Sequence, residues 1–230
     1  MPQLLTHLTF GEIFNKPVDN LPQILTHLNL GLSFNHPINL LPELLTHLNV
    51  GQKFNHPINL LPKSLTHLTL GEKFNQPINI TFNIKHLYLH TNNQNVLDNL
   101  PDYIEELNFS CDFDLDLVKN VKLNNLPNSI KKIIFNKYSK FNGELNCLPK
   151  FVESIQLPKL YDKKIINLPV KLKKIICHEN YKYAKDYGNL NIEIYEDSSN
   201  DKIFTKSDFT HCMFDSVKIN QQLIDYITNL

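Results

Sequence analysis

Residues 45–62 read Leu45-Thr46-His47-Leu48-Asn49-Val50-Gly51-Gln52-Lys53-Phe54-Asn55-His56-Pro57-Ile58-Asn59-Leu60-Leu61-Pro62. The same pattern returns at a step of 20 residues on both sides: Gly11, Gly31, Gly51 and Gly71; Phe14, Phe34, Phe54 and Phe74; Pro17, Pro37, Pro57 and Pro77. Self-similarity at a fixed short period is the signature of a repeat architecture. A unit of this length cannot bury its own apolar face, so it must stack on neighbours as one coil of a solenoid. The apolar-x-x-apolar-x-apolar run Leu45/Leu48/Val50 alternates at its end as a short strand does. The following glycine permits a sharp bend. The prolines fall outside the ladder, where no backbone N–H is required.

Beyond Ile80 the pattern weakens without stopping. Leu-Pro pairs recur at 100–101, 126–127, 148–149 and 168–169, and an apolar run follows each: Ile104/Leu107/Phe109, Ile130/Ile133/Phe135, Val152/Ile155/Leu157 and Leu172/Ile175/Cys177. Ile84/Leu87/Leu89 bridges the strong and weak blocks. This predicts four regular repeats over 1–80, about five degenerate repeats over 81–188 and a capping segment over 189–230. In that segment 189–196 alternates like a last strand, and a helix begins near Asp215 or Ser216. Twenty residues per coil leave little room for a helix on the return path, so extended or 3₁₀ backbone is expected there.

The motif Phe54-Asn55-His56-Pro57-Ile58, preceded by Leu45-Thr46-His47-Leu48, resembles the FNIP repeat, a short relative of the leucine-rich repeat found in social amoebae and giant DNA viruses. The resemblance implies a mainly β, leucine-rich-repeat-like, right-handed solenoid, a horseshoe with parallel strands on its concave face. It also implies protein interaction. Family members often carry an F-box ahead of the repeats. Here the first repeat begins at residue 2, so none is expected, and a substrate-recruiting accessory of a ubiquitin ligase is the alternative function.

Each repeat column has a predicted role. Leu65, Leu68, Leu70, Phe74 and Ile78 form one core layer, and the Phe column is a spine. Asn15, Asn35, Asn55 and Asn75 are read as a buried ladder bonding the amides of adjacent coils. The outward residues of the sheet are the candidate partner-binding face: His7, His27, His47, His67 and His86 in one column, with Thr9, Asn29, Asn49, Thr69 and Tyr88 in the next. A straight row of identical residues reflects duplication more readily than a metal site, whose ligands must converge, so neither metal nor cofactor is expected.

Charge balances, with 23 Lys+Arg against 23 Asp+Glu. All the basic residues are Lys. The excess of Lys over residues 117–185 reads as a solvated face. Without Arg to read bases, nucleic acid is not the expected partner. No run of the sequence is long and apolar enough to span a membrane, so no membrane partner is expected. Cys111, Cys147, Cys177 and Cys212 are scattered, as reduced thiols of an intracellular protein are (host cytoplasm if the source is viral). No Gly-rich phosphate loop, G-x-S-x-G or zinc-protease spacing occurs, and His211-Cys212 is the one adjacent pair with nucleophile chemistry. A non-catalytic module is expected. The first coil is expected to expose its core, which points to end-to-end pairing of two copies, to a partner, or to further sequence covering that end.

Overall fold

The computed structural model describes residues 5–80, 84–91, 93–109 and 121–197. The expected helix near residue 215, Cys111 and the pair His211-Cys212 lie outside them. The chain divides into two compact units, the first ending at Lys85 and the second beginning at His86. No helix among the described residues is long and apolar enough to cross a membrane.

The first unit is a parallel β-solenoid. Strands β1 (His7–Thr9), β2 (His27–Asn29), β3 (His47–Asn49) and β4 (His67–Leu70) fall where the apolar runs predict them. They pair in strict register, His7 opposite His27, His27 opposite His47 and His47 opposite His67. The predicted core layer is buried in full: Leu65, Leu68, Leu70, Phe74 and Ile78. The Phe spine stacks with ring centroids 6.1, 6.2 and 6.3 Å apart along Phe14, Phe34, Phe54 and Phe74.

The glycine column owes as much to crowding as to backbone angle. Gly51 has φ +80°, and a Cβ built there would lie 1.7 Å from the Gly31 carbonyl oxygen. At Gly71 no positive φ occurs, yet a Cβ would come within 1.9 Å of the Gly51 oxygen. Successive coils touch through bare backbone at this column.

Two expectations for this unit are corrected. The core of the first coil is not open: Leu8, Phe10, Phe14, Val18 and Leu21 are buried. Phe10 stands where later coils have Leu30, Val50 and Leu70, and its larger ring stacks on Phe14 at 3.9 Å. The Asn ladder exists but is exposed. Asn15, Asn35 and Asn55 accept through Oδ1 from the backbone N–H of Asn35, Asn55 and Asn75 at 2.9, 3.0 and 2.9 Å, on the outside of the turn that follows each buried Phe.

The second unit is a parallel sheet of β5 (His86–Leu89), β6 (Glu106–Phe109), β7 (Lys132–Phe135), β8 (Ser154–Gln156), β9 (Lys174–His178) and β10 (Asn191–Tyr195). Its spine is mixed: Phe135 stacks on Phe141 at 4.5 Å, and Phe141 faces Tyr161 at 6.4 Å. One return path departs from expectation. Helix α1 (Gln94–Asp98) follows β5, capped by the Asn93 side chain, which accepts from Asn95 N–H at 3.0 Å. It buries Val96 and Leu97, where the regular repeat buries its Phe and the apolar residue after Pro, as at Phe54 and Ile58. A 3₁₀ turn, Ala184–Tyr187, precedes β10 and buries Tyr187.

Candidate functional site

In the first unit the histidine column forms a stack. The imidazoles of His7 and His27, His27 and His47, and His47 and His67 lie 4.0, 4.1 and 3.9 Å apart between centroids, with interplanar angles of 13°, 12° and 13°. Strand register alone would place them about 4.8 Å apart, so the rings tilt into contact.

The threonine before each histidine fixes the ring. Thr26, Thr46 and Thr66 donate their hydroxyl hydrogen to the carbonyl of Thr6, Thr26 and Thr46 at 3.1, 3.0 and 3.2 Å. The same hydroxyls lie 2.8, 2.9 and 2.8 Å from Nδ1 of His27, His47 and His67, so each threonine holds its neighbouring ring through Nδ1. Stacked, near-parallel rings point their Nε2 atoms the same way, whereas two imidazoles sharing one ion must converge on it at about 2.0–2.1 Å. The stack is not built for a shared metal.

The same closeness governs charge. Burial depresses the pKa of His27 to about 4, helped by the neighbouring His47 and His7. At neutral pH this ring is uncharged.

The second candidate column divides. Thr9 is half-buried, but Asn29, Asn49 and Thr69 are buried, which corrects their reading as exposed contact residues. The Oδ1 atoms of Asn29 and Asn49 turn along the chain and accept from Gly31 and Gly51 N–H at 3.0 and 2.9 Å. They brace the glycine bend. Among the described residues, Asn29 Nδ2 and Thr69 Oγ1 are buried without a hydrogen-bond partner.

His86 and Tyr88 belong to the second unit, where both are half-buried on β5. His86 stands opposite Glu106 in register, with Nδ1 3.7 Å from its carboxylate, which also holds Lys132 Nζ at 3.1 Å. Here the outward column carries ions instead of stacked rings. The column beside it alternates in sign from coil to coil: Glu105 pairs with Lys131 at 2.8 Å, and Glu153 with Lys173 at 2.7 Å. The hydrogen bond and charge of Glu105 raise the pKa of Lys131, with Glu153 adding to it. Several lysines of the basic segment are thus tied to acids of adjacent coils rather than massed into a field. His178 is buried, its Nδ1 accepting from Asn180 N–H at 3.2 Å.

Two features escaped the sequence reading. The threonines that orient the histidines were visible in the Leu-Thr-His-Leu motif, yet their role needs the coil-to-coil bond. His36 and His56 form a second histidine row in the Phe-Asn-His-Pro turn, where Nε2 lies 3.1 Å from the carbonyls of Asn15 and Asn35.

Segments 34–73 and 54–89 each match the FNIP repeat family. Together the two matches span residues 34–89. This segment carries Asn35, Asn55 and Asn75 of the exposed ladder and His47 and His67 of the histidine stack. Among solved structures, CroV588, a circular leucine-rich-repeat protein of the giant virus CroV, is 25% identical with a TM-score of 0.53. The match covers 78% of this chain and 34% of CroV588, so the chain spans about a third of that protein's length. A leucine-rich repeat protein from Bacteroides ovatus is 15% identical over 85% of this chain and 60% of its own, with a TM-score of 0.23. No curated protein matches the chain. The architecture is a leucine-rich-repeat-like solenoid, a fold typically used as a non-catalytic scaffold.

Proposed function

We propose that the protein is a non-catalytic protein-interaction module whose partner docks on the outward face of the first unit's sheet, along His7, His27, His47 and His67. The observation that carries this reading is the stack itself: four half-exposed rings held in contact and keyed by threonines. A rigid, repeated surface loses little side-chain freedom when a partner arrives, and pre-organisation of this kind raises affinity without new contacts. The ring of His27 is uncharged at neutral pH, so the centre of this face suits a partner that brings no acid to it. Buried Asn29, Asn49 and Thr69 act behind this face as its support. His86 and Tyr88, on the second unit, contribute a separate patch next to Glu106.

The test is affinity capture from the source cells with the full chain and with a His27→Gln, His47→Gln, His67→Gln variant of unchanged urea midpoint. A protein retained by the first and lost from the second supports the reading. A partner captured equally by both places the binding surface elsewhere.

A further inference from the structure

Two stretches of the second unit share an unusual composition. Residues 146–151 read Asn-Cys-Leu-Pro-Lys-Phe, and residues 165–171 read Ile-Ile-Asn-Leu-Pro-Val-Lys. Neither contains an acid. They run side by side on adjacent coils: Ile166 N–H donates to Asn146 Oδ1 at 2.8 Å, and Lys171 N–H donates to the Lys150 carbonyl at 3.2 Å. This register places Phe151, Ile166, Leu168 and Val170 on one corner of the solenoid, all exposed, with Val170 85% and Ile166 72% open to solvent.

These side chains are surplus to the core. Val152, Ile155, Ile165, Leu172 and Ile175 already fill the layers beneath and are buried. Not every coil carries them: the corresponding corner one coil earlier, residues 124–129, reads Asn-Asn-Leu-Pro-Asn-Ser. Lysines border the apolar group. Lys150 Nζ lies 5.2 Å from the Phe151 ring centroid, and Lys171 flanks Val170. The nearby carboxylate of Glu153 is held by Lys173.

We propose that this corner is a peripheral docking surface for an anionic lipid bilayer. Side chains this open project singly. A protein partner would need a matched recess for each, whereas the interfacial zone of a bilayer accommodates them as they stand. Lysine stems lie along apolar surface while their ammonium groups reach outward to lipid phosphates. The absence of acids from both stretches removes the repulsion that an anionic surface would otherwise meet. The expectation of no membrane contact rested on the lack of a spanning segment. A surface that lies on the bilayer needs none, and this one is assembled from two stretches about 20 residues apart whose adjacency only the coil register reveals. The inference is independent of the histidine face.

The test is co-sedimentation of the full chain with phosphatidylcholine vesicles, with and without about 30% phosphatidylserine, at about 0.1 M salt. The chain is expected to bind the anionic vesicles only. Lys150→Gln should weaken binding about fivefold. An Ile166→Glu, Val170→Glu variant, checked for an unchanged urea midpoint, should weaken it at least tenfold. Three results would overturn the proposal: no sedimentation of the wild-type chain with anionic vesicles, equal binding by the double variant, or self-association of the wild type that the double variant abolishes without any vesicle binding. The last would identify the corner as a contact between copies.

Discussion

Replacing Gly51 by alanine tests the claim that successive coils meet through bare backbone. The new Cβ would fall 1.7 Å from the Gly31 oxygen, and the residue sits at φ +80°. The left-handed backbone alone costs a non-glycine residue about 1–2 kcal/mol. Relieving the overlap requires the two coils to part by more than an ångström. That strains the Leu30 N–H to Asn49 carbonyl bond, 2.9 Å, and the Gln52 N–H to Leu32 carbonyl bond, 3.2 Å, both of which cross between the two coils. Each such bond is worth about 1 kcal/mol net. The expected loss is therefore about 3–4 kcal/mol, which at a urea m-value of about 2 kcal/mol/M lowers the midpoint by roughly 1.5–2 M. Gly11→Ala is the control, since a Cβ there meets nothing within 4 Å and no positive φ occurs. It should change stability by no more than about 0.5–1 kcal/mol. A Gly51→Ala midpoint within error of wild type, or an equal fall in both variants, would refute the argument from coil contact.

Three further outcomes are expected. Phe54→Ala removes the centre of the buried spine and should cost about 3–5 kcal/mol by urea unfolding, against about 0.5 kcal/mol or less for exposed Lys53→Ala; similar values would break the inward and outward assignments. Lys131→Glu places a carboxylate between Glu105 and Glu153 and should lower the melting temperature at low salt, with the deficit narrowing at high salt as screening sets in. An unchanged deficit would mean the alternating column is not electrostatic. His27 has its folded pKa lowered to about 4 from 6.5. Its stabilising contribution is then complete above pH 6.5, is lost as pH falls towards 4 and is constant below that. An NMR titration showing His27 near the reference value, or a His27→Gln variant whose stability follows the wild-type pH profile between pH 7 and 4, would contradict the stacked ladder.

What could be read from residues alone depended on which physical rule governs each column. Leu28, Phe34 and their repeats obey period and burial, so spacing was enough to place them. Asn29 and Asn49 obey the same alternation as His27 and His47, yet they are buried, because an Asn side chain folds back onto the N–H two residues ahead. Alternation gives the direction of Cα–Cβ and nothing about that bond. The Asn35 ladder shows the reverse case: the bonding between coils was foreseen, but its exposure was not. Nothing in the pattern says whether the residue after a buried Phe turns under the coil or over it. The histidine column brings the two limits together. Duplication at a step of 20 explains why His27, His47 and His67 recur, and it would equally produce idle surface residues. What separates a built array from a copied one is Thr26, Thr46 and Thr66, whose hydroxyls contact both the carbonyl of the preceding coil and the ring beside them. The contact to the preceding coil exists only once coils are stacked, so the sequence could name the candidate residues but not the bonding that ties the threonines behind them to the neighbouring coil.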